Sequence, residues 1–367
     1  MTMPAGPWVL VIGMHRSGTS AIAGALGALG FGLAREDDRM EWPESNPEHW
    51  ESLSLGLHNE GLLNALGGSW DAPPDLPRHW EHSARILSGG VSGSLLARAY
   101  PRPGPAAWKD PRACILLPYW RTVLPGPIAA VFVWREPMAV AHSLLQRDGM
   151  PLAAGLALWE RYNRCAVEAL NGVDTYVIDY RSVMADPARF VQACAGWLGS
   201  LDQFSASRNG WDLDRATGSI ASELQHQPSE FSMTDESLVS PEQRQLEATL
   251  LGLAGGHRPL TQALPSAETA WATAIISSRR LAGLRATMVE AAQQRFWATR
   301  AQLAQANEDL ARATRTLDDQ RRQLESELAY AKARLSSLEE STSWRITKPL
   351  RASVSTVERW RHPTTDT

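Results

Sequence analysis

Residues 8–30 read WVLVIGMHRSGTSAIAGALGALG. An apolar run of strand length, Pro7 to Gly13, ends in glycine, and Thr19 to Leu29 has helical spacing. A strand, a tight loop and a helix start aim several backbone N–H groups at one point, where the helix dipole adds partial positive charge. The loop itself, GMHRSGTS, Gly13 to Ser20, has the glycine spacing of a nucleotide-phosphate cradle. In the ATP version a lysine after the second glycine reaches the β- and γ-phosphates. Here Thr19 stands in that place and the cation has moved inside the loop, to Arg16. The cradle remains while the triphosphate-handling lysine is absent. A single 5′-phosphate beside a transferring group suits it better.

The chain has 367 residues, enough for one large or two modest domains with extensions. A net charge of −4 gives no global attraction to nucleic acid. Cys114, Cys165 and Cys194 are scattered, and make neither a disulfide framework nor a metal cluster. No apolar run reaches the ~20 residues that span a bilayer. The first residues lack the basic region and cleavage site of a signal peptide. These features together point to a cytoplasmic protein without a metal.

Over the first 200 residues, short apolar runs alternate with helical patterns. Ala106 to Trp108, Pro127 to Trp134 and Thr175 to Ile178 read as strands; Glu51 to Leu66, Trp80 to Ala99 and Pro151 to Leu170 read as helices. Pro137 starts a helix at its favoured first-turn position. This alternation implies an α/β fold whose central parallel sheet is covered on both faces. Residues 36–50 read as an acidic loop, and 200–235 as an irregular stretch suited to a mobile lid.

With RSGTS after a strand, the chain resembles sulfotransferases that use 3′-phosphoadenylyl sulfate (PAPS), in particular bacterial and Golgi-type members with arginine in the 5′-phosphosulfate loop. That family holds the nucleotide's 3′-phosphate with an arginine at a strand end and a serine eight residues later, and VFVWREPMAVAHSLLQRDG supplies Arg135 and Ser143 in those places. The physics agrees: a guanidinium fork matches a phosphate bidentately, and Ser143, about two helical turns later, adds a hydroxyl donor. The resemblance extends to WKDPRACILLPYW, to LALWERYNRCAVEAL and to VIDYRSVMADP, and covers about residues 8–200. It implies a P-loop-type three-layer sandwich. It also implies that Gly13, His15, Arg16, Ser17, Gly18, Thr19 and Ser20 bind the donor's 5′ end, and that Arg135 and Ser143 hold its 3′-phosphate.

Sulfuryl transfer builds charge on the transferring oxygens and the leaving phosphate oxygen, so it needs fixed cations and a base for the acceptor proton. Arg16 meets the first need. Lys109 is either a second cation or a partner of Asp110. Relatives place a carboxylate, sometimes a histidine, a few tens of residues after the loop. NPEHWE keeps Asn46, Pro47, Trp50 and Glu51 of their pattern but lacks its glycine. Glu51 is the expected base, with His49 and Asp37 behind it; alternatively Glu51 only decorates a helix N-terminus. The expected acceptor is a hydroxyl of a carbohydrate, glycolipid or related small molecule. Two other classes remain at this point: a P-loop nucleotide kinase or NTPase, and a catalytically silent coiled-coil scaffold.

The expected domains are 1–260 for the sulfotransferase-like part, 266–340 for a long helix and 341–367 for a basic amphipathic tail. Between 266 and 340 there is no proline, and Phe296, Leu303, Leu310, Leu317, Leu324, Ala331 and Leu338 recur every seven residues. That repeat predicts a coiled coil joining copies of the chain through 290–340, or a helix lying back on its own domain. The tail suits a membrane surface, such as the inner membrane face, or an assembly partner.

Overall fold

In the computed structural model the chain forms two units, Met1–Ala282 and Gly283–Thr367. The structure describes residues 6–40, 50–83, 86, 92–223, 237–264, 270–343 and 345–347. His49 and nearly all of the basic tail lie outside the described residues.

The first unit is built on five strands: β1 (Trp8–Ile12), β2 (Ala106–Lys109), β3 (Ile128–Trp134), β4 (Asp174–Asp179) and β5 (Gly255–His257), in the order β2-β1-β3-β4-β5. β1 pairs in parallel with both β2 and β3, and β3 with β4. The last strand is antiparallel to β4, which departs from an all-parallel sheet. Every residue of β1 is buried, because both of its faces are covered. Trp8, Leu10 and Ile12 enter one apolar cluster, and Val9 and Val11 the other. Strand β3 alternates likewise, with Phe132 and Trp134 on the first face and Val131 and Val133 on the second. That period of two is what a pleated strand between two helical layers requires.

Helices α1 (Thr19–Leu29), α2 (Leu53–Ala65), α3 (Ser92–Ala99), α4 (Ala113–Val123), α5 (Pro137–Asp148), α6 (Leu152–Ala169), α7 (Tyr180–Ala185), α8 (Pro187–Leu198), α9 (Asp202–Ser205), α10 (Leu213–Glu223) and α11 (Pro241–Gly252) supply the two layers. Leucines of α2, Ile115 and Trp120 of α4 and Trp159 of α6 cover the first face. Ile22 and Leu26 of α1, Phe190 of α8 and Ile220 of α10 cover the second. The three-layer α/β sandwich expected from the sequence is the fold.

From β1 the chain goes first to β2 on one side and then to β3 on the other. The β1–β3 boundary is therefore the switch point, and its C-terminal edge is where open α/β sheets bind ligands. The second unit is the greater part of one helix, α12 (Ala270–Glu340).

Residues 213–223 differ from the irregular stretch expected at 200–235. They form α10, which packs on α1 with Ala216 and Ile220 fully buried. Two apolar residues four apart suffice to dock one face, and are too few to raise a helical pattern in a polar sequence. Ile220→Ala is expected to cost about 2–5 kcal/mol in chemical denaturation. A change under ~0.5 kcal/mol, the range of surface sites, would mean that this segment does not belong to the core.

Candidate functional site

The loop between β1 and α1 is shaped by two glycines that nothing else can replace. A Cβ on Gly13 would meet the Val133 carbonyl oxygen at 2.3 Å, so β1 and β3 end side by side only with glycine there. Gly18 has φ 86° and lies against the Tyr180 ring, which an added Cβ would meet at 2.0 Å. Gly18 is also the N-cap of α1, so no side chain satisfies the first N–H groups of that helix. Ser52, Asp186 and Ser240 do cap α2, α8 and α11. The first N–H groups of α1 are thus left without a side-chain acceptor, the condition under which a helix end can take an anion.

Arg16 sits at φ 68°, a left-handed conformation rare for a side chain. Its Nε donates to Ser143 Oγ at 2.7 Å, and its carbonyl accepts from Arg135 Nη1 at 3.3 Å. The two halves read 127 residues apart in sequence are thus one site. Arg135 is held from behind: Trp159 Nε1 donates to its carbonyl at 2.8 Å, and its guanidinium lies 5.2 Å from the Tyr180 ring centroid. Among the described residues no carboxylate comes within ion-pair distance of Arg16 or Arg135. Burial lowers the pKa of both, and for Arg16 the nearby Arg147 and Arg135 lower it further. Asp148 works the other way on Arg16, and Glu136 on Arg135.

Two polar atoms of the loop, Ser17 Oγ and His15 Nε2, are buried and without a hydrogen-bond partner. Thr19 is buried, with its methyl beside Gly13. Ser20 Oγ turns the other way and accepts from Lys109 Nζ at 3.3 Å.

Lys109, at the end of β2, is 3% exposed and ion-paired with Glu51, itself 6% exposed. Lys109 therefore bridges the loop helix and the carboxylate expected to act as base, and it does not pair with Asp110. Arg112 Nη1 stands 3.8 Å from Glu51 Oε2 and 3.2 Å from Asp110 Oδ1, and its Nε donates to Glu60 at 3.0 Å. Burial works against the Arg112 charge, but Asp110, Glu51 and Glu60 together raise its pKa. Burial raises that of Asp110, whose Oδ2 accepts from Asn59 at 2.8 Å while Asn59 Oδ1 accepts from Trp120 at 2.8 Å. Asp37, the other carboxylate considered, is exposed and paired with Arg35.

Several site residues were not anticipated from sequence. Tyr180 follows β4 and supports both Gly18 and Arg135. Trp159, Arg112 and Arg147 belong to segments the sequence singles out, but their contacts are long-range. Trp70 packs 4.7 Å from the His15 ring and 5.3 Å from the Arg147 guanidinium. Its carbonyl accepts from Tyr162 Oη at 2.7 Å, and its N–H donates to Glu60 Oε1 at 3.3 Å. The Trp70 segment is thereby fastened beside the loop.

Burial, then Arg112, Arg147, Lys109 and Arg16, hold the His15 pKa well below 6.5. The folded-state value lies under the unfolded one, so as pH falls below that value the unfolded chain takes the proton first and stability drops. His15→Asn is expected to flatten the stability–pH curve between pH ~6.5 and ~5 by up to about 1.4 kcal/mol per unit. Parallel curves for the two proteins, by denaturant titration at several pH values, would show that the imidazole is not held neutral.

No family model matches the chain, and no curated protein does. Among solved structures, it is similar to a sulfotransferase domain from the curacin biosynthetic pathway, at 12% identity over 67% of this chain and 98% of that one, with a TM-score of 0.33. It is also similar to sulfotransferase STF1 from Mycobacterium tuberculosis H37Rv (16% identity, 68% of this chain, 77% of that one, TM-score 0.34). A third is the sulfotransferase domain of the Synechococcus PCC 7002 olefin synthase (17% identity, 75% of this chain, 95% of that one, TM-score 0.33). Likeness at this level says nothing about activity, which has to be read from the loop, the two arginines and the buried Glu51.

Proposed function

We propose that this protein is a sulfotransferase that moves a sulfuryl group from PAPS to a hydroxyl of a carbohydrate, glycolipid or related small acceptor. What supports the reading above all is one contact pair: Arg135 Nη1 to the Arg16 carbonyl and Arg16 Nε to Ser143 Oγ. It brings Arg135 and Ser143 against the loop residue Arg16, which supports a nucleotide carrying phosphates at both 5′ and 3′ positions. The enzyme is proposed to be cytoplasmic, in keeping with three free, buried cysteines.

In this reading the N–H groups of Gly18 to Ser20 and the Arg16 guanidinium hold the 5′-phosphosulfate, the Ser17 N–H being taken by the Met14 carbonyl at 3.2 Å, and Arg135 with Ser143 holds the 3′-phosphate. The bound donor supplies an SO₃ group on a phosphate leaving oxygen. Arg16 and Lys109 stabilise negative charge that grows on those oxygens, from positions fixed before the reaction begins. Glu51 accepts the acceptor's hydroxyl proton, and its ion pair with Lys109 orients it until then. Trp159 and Tyr180 position Arg135 and do not touch the reacting atoms.

A kinase or NTPase makes a different demand on the same loop, because Thr19 cannot reach β- and γ-phosphates. Adenosine 3′,5′-bisphosphate is expected to raise the melting temperature of the protein, and ATP with Mg²⁺ to leave it nearly unchanged. Stabilisation by the ATP complex alone would overturn the reading. Arg16→Ala and Arg135→Ala should each lower transfer of labelled sulfuryl by about 10²–10³-fold, as loss of one transition-state donor does elsewhere. They should also shrink the bisphosphate's thermal shift.

Glu51→Gln keeps the side chain's shape and loses its basicity. It should reduce kcat by about 10²–10⁴-fold, the usual contribution of a general base, while the bisphosphate still binds. Normal turnover in Glu51→Gln would reduce Glu51 to a structural partner of Lys109.

A further inference from the structure

We infer that α12 pairs with the α12 of a second copy of this chain, parallel and in register, from about Leu303 to Leu338. Leu303, Leu310, Leu317, Leu324 and Leu338 are between 50% and 66% exposed, so no described residue of their own helix covers them. Leu328 and Leu335, which flank that stripe, are equally open. A straight helix rotates such a stripe by about 20° per seven residues; a left-handed supercoil with a partner keeps it in contact.

The direction follows from the residues beside the stripe. With the leucines at heptad position d, position a holds Asn307, Thr314, Arg321, Leu328 and Leu335. In a parallel, in-register pair Asn307 meets Asn307 of the other copy, and a single a-position asparagine favours a two-stranded, aligned coil. Position g then faces position e five residues further along the partner. Glu327 so faces the second copy's lysine at position 332, and Arg334 its glutamate at position 339: both pairs are opposite in charge. Five residues apart on one helix, they do not face each other within it. Among the described residues Lys332 and Arg334 have no ion-pair partner in their own helix. Arg321 would meet its own copy, but it lies 3.9 Å from Asp318 and 3.7 Å from Glu325 on its own helix, which offset its charge.

An antiparallel pair that covers the whole stripe relieves Arg321, which then meets Leu317, but does worse at the asparagine and at the charged flanks. It sets Asn307 against Ala331 and Asp318 against its own copy. Glu325, Glu327, Lys332 and Arg334 then fall opposite Ala311, Ala313, Ala304 and Ala306. A shorter antiparallel overlap centred between Leu328 and Ala331 leaves Leu303, Leu310 and Leu317 uncovered.

The test uses the full chain. Sedimentation equilibrium at micromolar concentration should give the mass of two 40.3 kDa chains. A monomer, a trimer or a tetramer overturns the proposal. Glu327→Lys with Arg334→Glu should weaken the dimer by about 10–100-fold, since like charges replace four favourable pairs. Adding Lys332→Glu and Glu339→Arg should restore it; failure to do so overturns the pairing, because these residues are not neighbours on one helix. Orientation is read separately from Asn307→Cys under mild oxidation. Cys114, Cys165 and Cys194 are buried and burial pushes Cys165 up to about 11, so the new thiol is the reactive one. A disulfide-linked dimer of Asn307→Cys supports the parallel pair. Cross-linking only when Ala331→Cys is added overturns it.

Discussion

The backbone of Arg16 occupies a left-handed conformation that costs of the order of 1–3 kcal/mol without a compensating environment. Its surroundings hold it there: Ser143 takes the side chain and Arg135 takes the carbonyl. Because those partners stand on and just before α5, the strained residue ties the C-terminal ends of β1 and β3 together. Gly13 and Gly18 make this possible by letting Val133 and Tyr180 approach closer than any side chain would allow. Arg16 and Arg135 are thus held at one edge of the sheet, where burial works against both charges.

Glu51, Lys109 and Arg112 present the opposite condition, charge that is buried and matched. Removing charges from water costs several kcal/mol each, and a buried pair returns this only when its remaining hydrogen bonds are filled. Here they are filled in series. Asn59 carries a hydrogen bond from Trp120 to Asp110, Asp110 fixes Arg112, and Arg112 reaches Glu60 and Glu51. Lys109 then spans from Glu51 to Ser20 at the start of α1. A well-packed apolar cluster of the same volume would stabilise this region as well or better. Retaining ionised groups makes physical sense if one carboxylate must be held, aimed and dry beside the loop.

The β1–loop–α1 unit and β3 were legible because their apolar runs are short, unbroken and bounded by glycine or proline. Arg135 and Ser143 were nominated by the family resemblance, and the fold brings both to Arg16. Helix α4 carried a contrary local signal, Pro118 inside its span, which reads as a break until the packing of Ile115, Leu116 and Trp120 overrides it. Strand β5 is three residues, Gly-Gly-His, with no periodicity at all; its pairing with β4 is a tertiary fact. The contact between Lys109 and Glu51 joins positions 58 residues apart, and that with Ser20 positions 89 apart. Side chains that meet across such distances leave no local pattern. Sequence could nominate both Lys109 and Glu51, but only the fold could make them partners.

The two units are stabilised by different means. The first encloses its own apolar clusters on both faces of the sheet, and its unmet requirement is electrostatic. The greater part of α12 lies in a unit where the described leucines stay open to water, and its unmet requirement is hydrophobic. A helix of that length, polar over most of its surface, gains little from propensity alone and depends on covering its apolar stripe. Ligand concentration should therefore govern the stability of the first unit, and protein concentration that of the second. On the two proposals, recognition of a small anion and recognition of a second copy would fall to separate parts of one chain.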